Sequence, residues 1–581
     1  MRKVILPALI FILVASAGAY VYFYQPFSRE ASMVAVLPAD TLGLVRVCEL
    51  KKQIVRFKSG RLGQKLAGID LSGLMEALQL PPEQQQEILK GLENFTAAID
   101  SAWFDTLFGQ DILLALQNGS VEPQQLKDPD LQALAEALVV VARPKQPTRV
   151  LNSLNSMFAT QLSVQTEAFQ KWELNSFVLE SGQTVFYALT NDLMIAGLSA
   201  RQVQRCLVQS LQESTSLLHA PAYQKYAAAL FKSGETDLHG FADTGRMIAL
   251  VHEAVSSQDG SDPEMAVLKT QLERMQGIES INFAQYDDGG ELVRAKMIVG
   301  IDKSRMTPTI AQAMGVAPVA NPTLKHVPSE ALVYNWQNTF DLKSFWQEVQ
   351  QQPEMTPETV AAFKETFAMK TGVELEPFLE ALGTQAGLLI KDINTGGMFP
   401  IPELALFIEV REPDMIDQLI RRQVGQFNMP LSQEDYKGTL VHFVMLPTGA
   451  DMSPAYMFSD GFCTVAVNRT LLQGILDAPE AGHLGGYPDF KALGREMTEQ
   501  GNQIYYLRAA GLFAKVRDLI TWGMAWMAMA KPDEVEQTKR VVELGIYPLL
   551  DGLSMIKAVG GRSYSGEDHF SSDVRVLLER T

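Results

Sequence analysis

Two short motifs have the residue types of acyl-transfer chemistry: Ser554-Met555-Ile556-Lys557 and Lys370-Thr371-Gly372. In serine enzymes that carry both, a lysine close to the serine raises its nucleophilicity. Here their order is reversed, and no Ser-Asp-Asn lies between them. Ser554 also falls in an expected strand, where positions i and i+3 face opposite ways. Chance co-occurrence is the better reading. Asp192 and Asp460 invite a second chemistry, because glycoside hydrolysis needs two facing carboxylates. Asn191-Asp192 and Ser459-Asp460-Gly461 are, however, ordinary turn sequences. The seven histidines are dispersed, with no HExxH or similar metal face. Cys48, Cys206 and Cys463 lie far apart without a CxxC pair, as expected for small buried thiols. Neither a P-loop nor a strand-linked GxGxxG occurs. We therefore assign no catalytic, metal-binding or cofactor-binding residue, and expect a protein that is not an enzyme and needs no cofactor.

The most unusual apolar stretch is LITWGMAWMAMA, Leu519 to Ala530. Methionine adapts to irregular partners, so Trp522, Met524, Trp526, Met527 and Met529 are the candidates for an apolar ligand or partner surface. The plainer expectation is core packing, since a helix apolar on all sides is usually buried.

These residues sit in a chain that repeats itself. FYALTNDLMIAGLSARQVQRCL (Phe186 to Leu207) is echoed by AYMFSDGFCTVAVNRTLLQGIL (Ala455 to Leu476). DTLFGQDILLAL (from Asp105) is echoed by EALGTQAGLLI (from Glu380), and HGFADTGRMIALVHEA (from His239) by IYYLRAAGLFAKVRDL (from Ile504). Further pairs follow in the same order, ending in a strand, a polar Gly-rich turn and a strand. In the first copy that turn is Asp287-Asp288-Gly289-Gly290, a hairpin signal. A repeat of this length means two domains. The expected division is residues 34–302, a proline-marked linker 303–325, and residues 326–581. Short turns between strands, with helices at irregular intervals, indicate α+β: a mainly antiparallel sheet covered by helices in each domain.

With 581 residues, two or more cores are expected. The composition, 47% hydrophobic and 20% charged, is that of a folded globular chain. Its formal net charge is −18, and no run of Lys or Arg marks a phosphate-binding patch, so no nucleic-acid partner is expected. In residues 1–30, Arg2 and Lys3 precede an uncharged stretch from Val4 to Tyr24. That length matches a bilayer core, and the aromatic cluster at its end suits the membrane interface. The expectation is a transmembrane helix acting as a signal anchor, with the N-terminus cytoplasmic. Ala15-Ser16-Ala17 offers a cleaved signal peptide instead, although the apolar run is long for one.

VLPADTLGLVRV, LFGQDILLAL and YALTNDLMIAGLSARQVQRCL together resemble an uncharacterised bacterial envelope family, domain of unknown function 3352 (DUF3352). The resemblance implies an exported, membrane-tethered protein and supplies no catalytic residues. PSEALVYNW departs from its Pro-Ala-Asp-Thr pattern in the second copy. The combined expectation is a single-pass protein of the bacterial inner membrane with its bulk in the periplasm, acting as an extracytoplasmic binding or scaffold protein. An envelope protein or an apolar ligand would be its partner. The alternatives are a periplasmic carrier of a lipid or other apolar ligand and, third, an envelope hydrolase.

Overall fold

The structure, a computed structural model, describes residues 32–118, 135–145, 164–179, 182–190, 192–231, 236–256, 263–287, 291–352, 355–445 and 453–579. The chain forms two compact units. The first contains the described residues up to Met306 together with Arg540–Gly552. The second contains Thr307–Lys539 and the described residues from Leu553 onward. Residues 303–325 are not a bare connector: Val316 and Ala317 accept hydrogen bonds from Asn502 and Asn338 through their carbonyls.

In the first unit the central strand β1 (Gly43–Val47) lies between β2 (Ile112–Leu116) and β8 (Thr236–Ala242). Beyond β2 come β3 (Leu138–Ala142) and β7 (Met194–Gly197), followed by β6 (Thr184–Leu189), β5 (Trp172–Val178) and β4 (Gln165–Phe169). Beyond β8 come β9 (Ile278–Asp287) and β10 (Leu292–Ile301). All these pairings are antiparallel, in the order 4-5-6-7-3-2-1-8-9-10. The hairpin turn expected at Asp287–Gly290 falls largely on residues outside the described ones.

The second unit repeats the order strand for strand. Its strands are β11 (Val333–Gln337), β12 (Leu382–Asn394), β13 (Ile401–Val410), β14 (Leu431–Tyr436), β15 (Thr439–Val444), β16 (Ala455–Ser459), β17 (Phe462–Ala466), β18 (Gln503–Leu507), β19 (Ile556–Ser565) and β20 (His569–Leu578). They pair antiparallel as 14-15-16-17-13-12-11-18-19-20. Two-residue turns close two of its hairpins, with positive φ at Lys437 and Gly438 and at Asp460 and Gly461. Their twist matches that of the strands, so the register is fixed locally.

Helices cover the inner face of each sheet. Val203, Cys206 and Leu207 of the helix Ala200–Gln209 lie at i, i+3 and i+4 and pack on Leu113, Val139 and Ile195. In the second unit Leu471, Leu472, Ile475 and Ala478 of Arg469–Ala481 are its buried face. The α+β, antiparallel part of the expectation is thus the architecture.

The membrane part is corrected. Among the described residues no helix is long and apolar enough to cross a membrane. The apolar helix Ala509–Ala530 is interrupted by Lys515, Arg517 and Asp518. The expected span, residues 4–24, lies outside the described residues. The signal anchor, membrane attachment, single-pass inner-membrane topology, periplasmic placement and membrane-anchored role therefore have no support in the structure.

The units differ where the central strand meets the core. Register places Arg46 opposite His239, and Trp336 opposite Ile504 at the same point of the second unit. Asp111 precedes β2 where Gln385 occupies the matching place in β12. Tyr223 packs edge-on against Phe241 at 5.2 Å, as Phe490 packs on Tyr506 at 5.6 Å. One core end is therefore polar: Arg46 pairs with Asp111 at 2.6 Å, both nearly enclosed, beside the buried imidazole of His239. The other is apolar, built on the fully buried Trp336. Burial, with the Arg46 charge adding to it, drives the pKa of His239 down to about 3.

Replacing Trp336 with Ala removes the largest enclosed side chain. It should cost the chain about 3–5 kcal/mol, measured by urea unfolding. His239 predicts a pH effect. Its folded pKa of about 3 is below the ordinary value near 6.5, so the unfolded chain takes up a proton that the folded chain refuses. The contribution is complete above pH 6.5 and is lost as pH falls toward 3, about 2 kcal/mol of it by pH 5. His239→Ile, which copies Ile504, should flatten that part of the acid slope in urea midpoints. An unchanged slope would contradict the assignment.

Candidate functional site

Each sequence candidate has a definite place. Lys370-Thr371-Gly372 is a helix C-terminus: Gly372 has φ 76, and the Lys370 carbonyl accepts from Gln423 and Gln426. Ser554 lies in a turn before β19 and Lys557 within that strand. The two motifs lie on separate elements. Asp460 is the first turn residue between β16 and β17, where it takes Lys325 and His326 at 2.9 Å each. Those two hydrogen bonds, Lys325's the larger, hold its carboxyl below the usual range. Asp192 occupies the turn between β6 and β7. All three cysteines are buried, and burial pushes the Cys206 and Cys463 thiols up to about 12. Among the described residues no group of three His, Cys, Asp or Glu is placed to hold a metal.

The structure also brings together a group that sequence spacing does not reveal. Asp417 accepts from Arg421 at 2.6 Å and from the Tyr456 hydroxyl at 2.7 Å. His442 stacks on Tyr456 at 4.8 Å, and its Nδ1 is 3.2 Å from Arg421. Burial and the Arg421 charge both lower the His442 pKa. Burial opposes ionisation of Asp417, but the hydrogen bonds from Arg421 and Tyr456 win and keep its pKa low. The carboxylate is spent on holding its neighbours, which makes this a clamp between a helix and two strands.

The Trp- and Met-rich stretch is different. Trp522, Met524, Trp526, Met527 and Met529 all lie in the C-terminal half of the helix Ala509–Ala530. They are not fully enclosed: Trp522, Met524, Trp526 and Met527 are half-buried, Met529 is exposed, and within this helix only Ala509 is buried. Beside them lies the tip of the long β12–β13 hairpin, shaped by an Asx turn in which Asn394 Oδ1 accepts from the Gly396 N–H. Trp522 and Trp526 both donate through Nε1 to the Met398 carbonyl, at 3.3 and 3.4 Å. The indoles are 5.9 Å apart, and Phe399 lies 5.7 Å from Trp526. With their polar edges occupied, these rings present carbon surface. Met398 is 72% exposed, Phe399 55% and Met529 73%. The group reaches the surface at Met398, Phe399 and Met529. Met398 and Phe399 escape sequence analysis, although two large apolar residues directly after Gly396-Gly397 are an unusual composition for a turn.

The first unit shows how such a helix is normally completed. Between β8 and β9 the helix Thr244–Ser256 buries Ile248 and Val255 against Leu272 and Leu268 of the next helix, Pro263–Met275. After the helix Ala509–Ala530 the next helix, Pro532–Val541, whose last two residues belong to the first unit, is polar and buries no residue.

No family model matches the chain, and no curated protein matches it. The resemblance to DUF3352 therefore rests on the quoted motifs alone. A solved structure described as "Structure of crystal form I of TP0453" is similar at 7% identity, covering 49% of this chain and 83% of that one. Its TM-score is 0.22, and it carries no argument about this chain.

Thioether oxidation follows exposure. Under dilute peroxide Met398 and Met529 should become sulfoxides well before the buried Met457 and Met497, as read by peptide mass spectrometry. Equal rates would mean that the patch is covered.

Proposed function

We propose that this chain is a non-catalytic binding protein. Its recognition surface is the Trp522–Met529 end of the helix together with the Met398-Phe399 hairpin tip, and it receives an amphipathic helix from a protein partner. The observation that supports this reading most is that the apolar C-terminal half of a 22-residue helix holds no fully buried residue, with Met529 exposed beside the exposed Met398 and Phe399. Helices apolar on all sides are ordinarily enclosed, and methionine with tryptophan is a composition suited to adaptable protein contacts. The form of the partner follows from the first unit, where the equivalent helix is covered by another helix through Leu and Val contacts.

The test uses the full chain and fluorescein-labelled Leu-rich amphipathic helical peptides, with scrambled peptides as controls. Anisotropy should show binding of the amphipathic peptides only. Phe399→Asp and Met529→Lys should each weaken it by about tenfold or more, the effect expected for a central contact. Equal binding of scrambled peptides would refute the reading. Sedimentation of the chain alone separates a second case: a dimer abolished by the same substitutions makes another copy the occupant.

A further inference from the structure

A depression of about 670 Å³ in the first unit is lined by Lys51, Lys52, Arg56, Lys145, Glu49 and Gln110, among others. The lining holds four cations and one carboxylate in a chain of net charge −18, with Asp100 at 3.9 Å from Lys51 and Asp105 at 2.7 Å from Lys145 beside it. The stretch Leu50 to Lys65 holds Lys51, Lys52, Arg56, Lys58, Arg61 and Lys65 and no acid. Helical spacing hides it from a search for basic runs and gathers part of it around one hollow.

The rim is built, not incidental. Beneath it lies the enclosed Arg46–Asp111 pair, whose free carboxylate oxygen accepts from the Glu49 N–H. Glu49 is thereby held at φ 48, a left-handed conformation unfavourable for a side chain of this kind. The Leu50 N–H donates to the Gln110 carbonyl and ties the two rim segments together. No side chain caps the helix Leu50–Ser59, whereas Asp341 caps its counterpart Leu342–Val349 through Ser344. The second unit also shows that the fold does not need the buried pair, since Trp336 and Gln385 occupy those positions. A buried ion pair is a poor source of stability, and its best-attested use is to specify geometry.

We propose that this depression is a binding site for a small multivalent oxyanion, a phosphate ester or a polycarboxylate, held by Lys51, Lys52, Arg56 and Lys145. Lys51 is aimed by its bond to the Ile99 carbonyl. Lys52 and Lys145 rest on Glu49 and Asp105, contacts at the surface that a multiply charged ligand displaces at little cost. Arg56 supplies the planar fork that suits two oxygens at once. This site shares no residue with the apolar patch, and either can fail without the other.

Calorimetry of the full chain at low ionic strength, with pyrophosphate and with citrate as probes, tests it. At least one should bind with a Kd below about 1 mM and weaken as salt is added. Lys52→Glu with Lys145→Glu should reduce affinity at least about tenfold, and the milder Lys52→Gln with Lys145→Gln should reduce it less. The same charge change at Lys343→Glu with Lys364→Glu, on the second unit, should leave it unchanged. Pyrophosphate alone assigns the phosphate class and citrate alone the carboxylate class. Binding of neither probe, or equal weakening by the distant pair, overturns the proposal.

Discussion

In the central strand β1, Leu44 and Arg46 are enclosed while Val45 between them is exposed. A slip of one residue would turn Val45 inward and carry a paired guanidinium into water. Pairing with β2 on one side and β8 on the other forbids that slip, and the same constraint governs β11 between β12 and β18. Every helix that covers a sheet is placed relative to this register. So are the two candidate sites, because the rim of the basic depression follows directly from β1, and the helix Ala509–Ala530 from β18, the strand paired with β11. The first unit uses the constraint to hold a charge pair, and the second to bury an indole.

Much of the architecture is legible in the sequence because repetition multiplies weak signals. His239 and Ile504 align by sequence echo alone and occupy equivalent register positions, whereas the match of Asp111 with Gln385 comes from strand register. The α+β class follows from short turns such as Asp460-Gly461. Less legible is anything that depends on which side of an element is covered. The composition of Leu519 to Ala530 predicts a core helix, yet Trp522, Met524, Trp526 and Met527 are only half-buried and Met529 is exposed, and the following helix, Pro532–Val541, buries no residue. Periodicity cannot report that. The Asp417–Arg421–His442–Tyr456 clamp joins one helix to two strands, and its spacing in sequence carries no pattern. Membrane attachment was read from residues 4–24, outside the described residues, and no described helix supplies it.

The two units also show how one scaffold tolerates opposite chemistries at one point. Arg46 with Asp111 is costly to enclose, and the arrangement stands only because each charge has its partner and His239 stays neutral beside the guanidinium. Trp336 needs no such partner, only volume. What the first unit gains is direction: an oxygen fixed under Glu49 and a rim that does not wander.

The assignment of Arg540–Gly552 to the first unit has a consequence for how the chain is made. This segment brings Gly545 against Leu74 and Gly552 against Leu62. Those leucines are synthesised early, and their covering helix is translated more than four hundred residues afterwards. At about 5–20 residues per second the delay is on the order of twenty seconds or more. The first unit therefore cannot finish folding in the order of its synthesis. For that interval it is an open body with an apolar seam, closed only when most of the second unit has left the ribosome.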